Sequence, residues 1–513
     1  MPQASHNWIR RLILEGPAEP GPWTARSTLG LVLLITAALS LWEATVKPFW
    51  FDEILTLQVS RLPTPESRWQ ALYEGCDGMP PGYYRINAII AALPLEDHIR
   101  WRAPELLGWL LALVGVYLFV CPVNGRAAGV AAALLLSLTP VSAYAWEARP
   151  YALLVGVLAL AAACWQRIAR HWLWTLALAL LLILATNLHY LAPLSVLCFA
   201  LAEAALSLAN RRWRWSVWAA FTAAAIPTFF ALPLLLRMKQ DFAAHFWARP
   251  EIGGLPYYYG NLLGFPLALS LVFLAFGFLY LLRSILHQPP ASARWQAQVL
   301  ALSLLCLPII SLVFTLATNG GFNERYTMPV VIGYAAAIPL LLEWKPGGMP
   351  RAFTLSLLVA FLVLSGRQAL SLRTESAAVL DGESSPALQA LRSSPAELLI
   401  VTNPLEFLPA WYYAKPAERT RLTFVGDLEA ANRLGTTDGA VRLLLALAKF
   451  HPVPVSTLDQ FLPGRRDFLL FTRGPAHLNW QVLRLKELRW RLQPLDAVAG
   501  GQLYRAFAPP PGS

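Results

Sequence analysis

Apolar residues fill the first 365 or so positions in blocks, each broken by a few polar, proline or glycine residues. The blocks approach the ~20 residues that carry a helix across a bilayer. They predict eleven spans, at about 28–47, 102–120, 127–143, 151–166, 172–186, 189–208, 215–236, 261–282, 297–317, 327–343 and 352–367. After about residue 367 the texture changes: charges return and apolar runs shorten to strand length. Residues 397–402, 421–425 and 467–472 read as buried strands, Pro404–Tyr413 and 439–450 as helices, and Gly500-Gly501 as the turn of a final hairpin. The predicted fold is an all-α polytopic membrane bundle with a small C-terminal α/β domain. Its parts are a cytoplasmic segment 1–27, a transmembrane domain 28–367 with a long first outside loop 48–101, and an extracytoplasmic domain 368–513. The tail has no glycine-rich nucleotide pattern and reads as a lid or docking domain.

Composition agrees with the pattern: 57% of the 513 residues are hydrophobic and 14% charged, where a soluble domain carries about a quarter charged residues. The net charge of +11 does not point to nucleic acid, because the basic residues are dispersed between apolar spans. Residues 1–27 are polar and no cleavable signal is evident. Lys and Arg gather in alternate short loops, including Arg10, Arg11, Arg126, Arg167, Arg211 and Arg283, whereas Asp52, Asp77, Glu147, Glu251 and Glu324 fall in the others. The basic set should be cytoplasmic. The N-terminus is then inside, the acidic loops and the tail outside, and the location a plasma (inner) membrane. Of five cysteines only Cys76 lies in an outside loop, so no intrachain disulfide is expected. No His or Cys spacing resembles a zinc site. Ionisable residues appear almost absent from the span interiors, which favours an enzyme over a lipid-sugar flippase or transporter.

The outside loops carry the chemistry. The first opens Phe51-Asp52-Glu53, and the following apolar positions predict a short helix lying on the membrane surface, anchored by Trp50. Paired carboxylates at a span mouth suit a general base, or simply the positive end of a helix. Further along stand Asp77-Gly78-Met79-Pro80-Pro81-Gly82-Tyr83-Tyr84-Arg85, then Glu147-Ala148-Arg149-Pro150-Tyr151, His189-Tyr190 and Glu324-Arg325-Tyr326. Each arginine at a span end suits a phosphate or a snorkelling contact with headgroups. Together they suit a lipid phosphate at the membrane surface and a hydroxylated partner arriving from water.

Read in order, these motifs resemble the GT-C polyprenyl-phosphate-sugar-dependent glycosyltransferases, in particular glycosyltransferase family 39, with its protein O-mannosyltransferases and aminoarabinose transferases. Phe51-Asp52-Glu53 resembles the family's first-loop acidic motif, Met79–Tyr84 its basic-Pro-Pro-x-Tyr-Tyr motif, and Arg149-Pro150-Tyr151 its Arg-Pro-Tyr turn. Met79 departs from the usual His or Lys, which shifts the donor contact toward Arg85, Arg149 or Arg325. The resemblance implies a polyprenyl-phosphate sugar donor, an acceptor hydroxyl on a glycan, lipid or protein, and inversion at the anomeric carbon. It implies Asp52 as general base with Glu53 beside it as the catalytic pair. Asp77, Tyr83, Tyr84, Arg85, Glu147, Arg149, Tyr151, His189, Tyr190, Trp247, Arg325 and Tyr326 become the substrate-binding set. No cofactor is implied, and the outside acids leave a divalent metal open. A non-catalytic member of the family is a further alternative.

Overall fold

The computed structural model describes residues 22–242, 248–342, 349–374, 385–394, 397–435 and 437–510. It divides into two compact units. One comprises Met1–Ala44, Ile99–Leu232 and Arg249–Arg373; the other comprises Thr45–His98, Pro233–Ala248 and Thr374–Ser513.

The first unit is a bundle of apolar helices, and the chain is a multi-pass membrane protein. Among the described residues five helices are long and apolar enough to cross a bilayer, and three bent helix pairs pass the same test together. The apolar helices Leu173–Leu188 and Val330–Leu341 are shorter. Each predicted span falls on helix, with its ends moved by local breaks. Residues 102–120 and 127–137 lie in one segment, Asp97–Ser137, broken at Gly125, whose φ of 85° is open to glycine, and the second predicted span runs on into the 3-10 segment Pro140–Trp146. The span predicted from 261 instead begins at Leu267, because Leu255–Leu263 ends on Gly264 at φ 79° and Pro266 follows.

Close backbone approach sets one contact that matters for the site. A Cβ on Gly156 would lie 2.0 Å from the Gly108 carbonyl oxygen, so only glycines let these two helices touch. The contact allows Glu105 of Asp97–Ser137 to reach the start of Tyr151–Trp165, where Glu105 Oε2 accepts the Leu153 amide at 2.9 Å. The expectation that span interiors lack ionisable groups is thereby corrected. Arg102, Glu105 and Glu203 are all buried in the first unit. Each has a protein partner: Arg102 Nη1 donates to the Ala44 carbonyl at 2.8 Å, and Glu203 accepts from Trp165 Nε1 at 2.9 Å and Arg214 Nε at 2.8 Å. Buried charges persist when neighbours satisfy them, and such neighbours come from distant segments that a hydropathy window does not see.

The second unit is α/β. Its strands are β1 (Leu399–Val401), β2 (Leu422–Gly426), β3 (Val455–Thr457), β4 (Asp467–Arg473), β5 (Arg491–Val498) and β6 (Gly501–Phe507), in the order β3-β2-β1-β4-β6-β5. The first four are parallel and the last two antiparallel. Ile400, Val425, Phe468, Leu470, Val482 and Trp490 belong to one core under this sheet. The hairpin turn lies at Ala499-Gly500, both at positive φ, one residue earlier than predicted. Gly501 is instead the first residue of β6, where a Cβ would come within 2.5 Å of the Phe471 ring.

The first loop folds within this unit. Phe51–Ser60 is a helix as predicted, and nine of its ten residues are buried against other protein elements. Its neighbours are helices Pro81–Ile90 and Pro404–Tyr413. The Phe49 amide donates to the Tyr413 hydroxyl at 2.6 Å, and His98 Nε2 lies 2.9 Å from the same hydroxyl. Lys449 pairs with Glu74 at 2.6 Å.

Candidate active site at the span ends

Three turns meet at one end of the first unit. The chain runs through the 3-10 segment Pro140–Trp146 and bends by 112° into Tyr151–Trp165. Two successive tight turns shape the corner: the Arg149 amide donates to the Glu147 carbonyl and the Tyr151 amide to the Arg149 carbonyl, each at 2.7 Å. Pro150 stands at the helix start, where its missing N–H costs nothing. Arg149 is 4% exposed. The second turn holds His189 between Leu173–Leu188 and Ala192–Asn210. The third begins at Asn319, left-handed at φ 51°, and is closed by Asn323, whose Oδ1 accepts from Arg325 N at 2.9 Å and Arg325 Nε at 3.3 Å.

Aromatic rings join these turns. Tyr151 meets Tyr144 edge-on at 5.2 Å between centroids and lies 5.8 Å from His189, which lies 5.2 Å from Tyr326. Arg325 Cζ sits 5.9 Å from the Tyr151 ring centre, in cation–π range. The Arg325 guanidinium and the Glu147 carboxylate also lie near the Tyr144 hydroxyl. Glu324 accepts from Asn261 at 3.3 Å. Tyr144, Asn261 and Asn323 are thus site neighbours that the sequence reading did not select. An asparagine two residues before an arginine after a Gly-Gly pair was the available signal for Asn323.

His189 is a neutral imidazole. Its Nδ1 accepts the Leu191 amide at 3.1 Å, which leaves the proton on Nε2. Burial, then the charges of Arg149 and Arg325, lower its pKa from 6.5 to about 3. Between those values the unfolded chain binds the proton and the folded chain does not. Stability is therefore complete above pH 6.5 and falls on acidification toward pH 3, by at most about 1.4 kcal/mol per pH unit. Thermal unfolding in detergent between pH 4 and 8 should reveal this slope. His189→Gln should flatten it; an unchanged slope removes His189 as its source.

Glu147, Arg149, Tyr151, His189, Arg325 and Tyr326 are therefore brought together, with Tyr190 half-buried beside His189. The remaining predicted residues belong to the second unit. Asp52 is half-buried in the first turn of Phe51–Ser60. Glu53 is fully buried, and its Oε2 accepts the Trp50 amide at 3.2 Å. Asp77 accepts from Thr56 Oγ1 at 3.0 Å and from the Gly78 amide at 2.7 Å. Tyr83 and Tyr84 are buried, the Tyr84 hydroxyl accepting the Met79 amide at 3.3 Å, while Arg85 is exposed. Trp247 lies outside the described residues. Among the described residues no three His, Cys, Asp or Glu side chains gather as a metal site, and all five cysteines are free.

The α/β unit also has a point where the strand order reverses, between the carboxyl ends of β1 and β4, the position at which parallel sheets bind nucleotides. Here Asn479 occupies it, donating to Thr402 Oγ1 at 2.8 Å and Thr472 Oγ1 at 3.0 Å.

No family model matches the chain, and no curated protein matches it. Solved structures do. ArnT from Cupriavidus metallidurans bound to undecaprenyl phosphate aligns at a TM-score of 0.54 and 14% identity, covering 95% of this chain and 98% of that one. Its apo state gives 0.52 and 16%, covering 93% and 98%. An Archaeoglobus fulgidus oligosaccharyltransferase in the apo form aligns at 0.48 and 12% identity, covering 88% of this chain and 70% of that one. The chain has the fold of ArnT, the polytopic GT-C architecture.

Proposed function

We propose that this membrane protein is a glycosyltransferase that moves a sugar from a polyprenyl phosphate to an acceptor hydroxyl on the extracytoplasmic face of the inner membrane, inverting the anomeric carbon. The acceptor oxygen attacks that carbon, the bond from carbon to phosphate oxygen breaks, and the acceptor proton passes to Asp52. The lipid phosphate leaves with the bonding electrons. Arg149 and Arg325 stabilise the charge that grows on it. His189, neutral with its proton on Nε2, donates a hydrogen bond and takes no part in proton transfer. Asp77, Tyr83, Tyr84, Glu147, Tyr151, Tyr190 and Tyr326 orient the two substrates.

One observation carries this reading: Arg325 lies over the Tyr151 ring, buried His189 packs against Tyr151 and Tyr326, and buried Arg149 stands two residues before Tyr151, so two guanidinium groups and an imidazole gather at one span end. Forked guanidiniums at a membrane surface match the geometry of a lipid phosphate. The ArnT fold over nearly the whole chain adds support.

Detergent solution separates the enzyme from a flippase, since a micelle has no two sides to move a lipid between. The purified protein should transfer label from an undecaprenyl-phosphate sugar to a hydroxylated acceptor under those conditions. Absence of transfer in detergent, together with lipid-sugar translocation in liposomes, would replace the proposal with transport.

A further inference from the structure

The bundle holds a cavity of about 380 Å³. Pro140 and Ser142 of the 3-10 segment line it, while Tyr144 and Glu147 further along face the arginine cluster. Thr36 and Ser40, one turn apart on Pro22–Val46, face the same space as Ser365 and Gln368, one turn apart on Met349–Thr374. Gly264, in its left-handed conformation, packs a wall against Pro140.

Its chemistry is unusual for a membrane bundle. Half of the fourteen lining residues carry a hydroxyl or amide side chain, and none is charged. Two of the lining groups raise the demand for a polar guest: Thr36 Oγ1 and Trp109 Nε1 are buried with no hydrogen-bond partner among the described residues. Polar groups held from water in this way are costly unless something satisfies them. Ser137 and Thr139 already donate to the Leu134 and Leu136 carbonyls, but a phosphate or carboxylate would find no cation here, and a hydrocarbon would strand Thr36 and Trp109. An uncharged molecule dense in donors and acceptors fits both constraints. The cavity's apolar rim includes Leu364, 48% exposed on the outer surface of the bundle, which suits an alkyl chain running out from such a head group.

We propose that this cavity binds the uncharged sugar head group of a membrane amphiphile. Binding there requires neither Asp52 nor Arg149, so it stands or falls apart from the transfer reaction.

The probe is octyl β-glucoside, offered below its micellar concentration to the full chain held in amphipol and followed by equilibrium dialysis. Saturable binding is expected, with octyl phosphate failing to compete. Methyl β-glucoside, without the tail, and octyl tetraoxyethylene, without the ring, should each bind at least 10-fold more weakly. Thr36→Val combined with Gln368→Leu should weaken octyl glucoside at least 10-fold while leaving undecaprenyl phosphate binding unchanged. Should that pair not fold, Ser365→Phe, which fills the cavity from its rim, should give the same loss. Equal binding of octyl tetraoxyethylene would reduce the site to an apolar groove and overturn the proposal. Equal binding of methyl glucoside overturns the lipid assignment, and wild-type affinity in a folded variant overturns the site.

Discussion

Asp52→Asn should slow transfer by about 10²–10⁴-fold, the range associated with loss of a positioned general base, while donor affinity stays within about twofold. The substitution keeps the side chain's shape and one acceptor oxygen, so the start of helix Phe51–Ser60 should survive it. Asp52 is half-buried, in the first turn of that helix. Glu53 is placed differently. It is fully buried and accepts the Trp50 amide at the head of the same helix, a bond that Gln retains through its amide oxygen. Glu53→Gln should therefore cost far less rate than Asp52→Asn. The pair is read by single-turnover transfer from a labelled undecaprenyl-phosphate sugar. If Asp52→Asn turns over as wild type, the acceptor proton goes elsewhere and the assignment fails.

Arg325→Ala should weaken binding of undecaprenyl phosphate by about 10–100-fold, the loss expected for one hydrogen bond to a charged group, with the acceptor KM unchanged. Arg325 is held by its own turn, through Asn323, and by the face of Tyr151. Removing it deletes a charge without dismantling a helix. Arg325→Lys keeps the charge but loses the flat stacking surface and the fork, so it should recover only part of the affinity. Arg149→Ala should give a similar loss of donor binding, accompanied by reduced stability because its site is buried. Donor affinity measured by displacement of a fluorescent polyprenyl phosphate decides the matter. Unchanged affinity in both alanine variants would mean that the phosphate is bound by other groups.

Much of the fold was readable from the chain alone, for a reason of scale. A bilayer sets the length of each apolar block and a strand sets another, so each of the eleven predicted spans overlaps helix among the described residues, and the strands at 397–402, 421–425 and 467–472 lie within a residue or two of β1, β2 and β4. The motif residues at the span ends were legible for a related reason: arginine, histidine and tyrosine stand out against long apolar neighbours. Contacts between distant segments decided the rest. Helix Phe51–Ser60 is buried because its cover includes helix Pro404–Tyr413, from the far end of the chain. Glu105 inside a predicted span is tolerable because two glycines, at 108 and 156, let it reach the Leu153 amide. Periodicity records how far a residue stands from its neighbours along the chain, and it carries no record of which turns will meet. That Arg149, His189 and Arg325 share one end of the bundle, and that the sheet runs β3-β2-β1-β4-β6-β5, was decided by the packing of whole elements against one another.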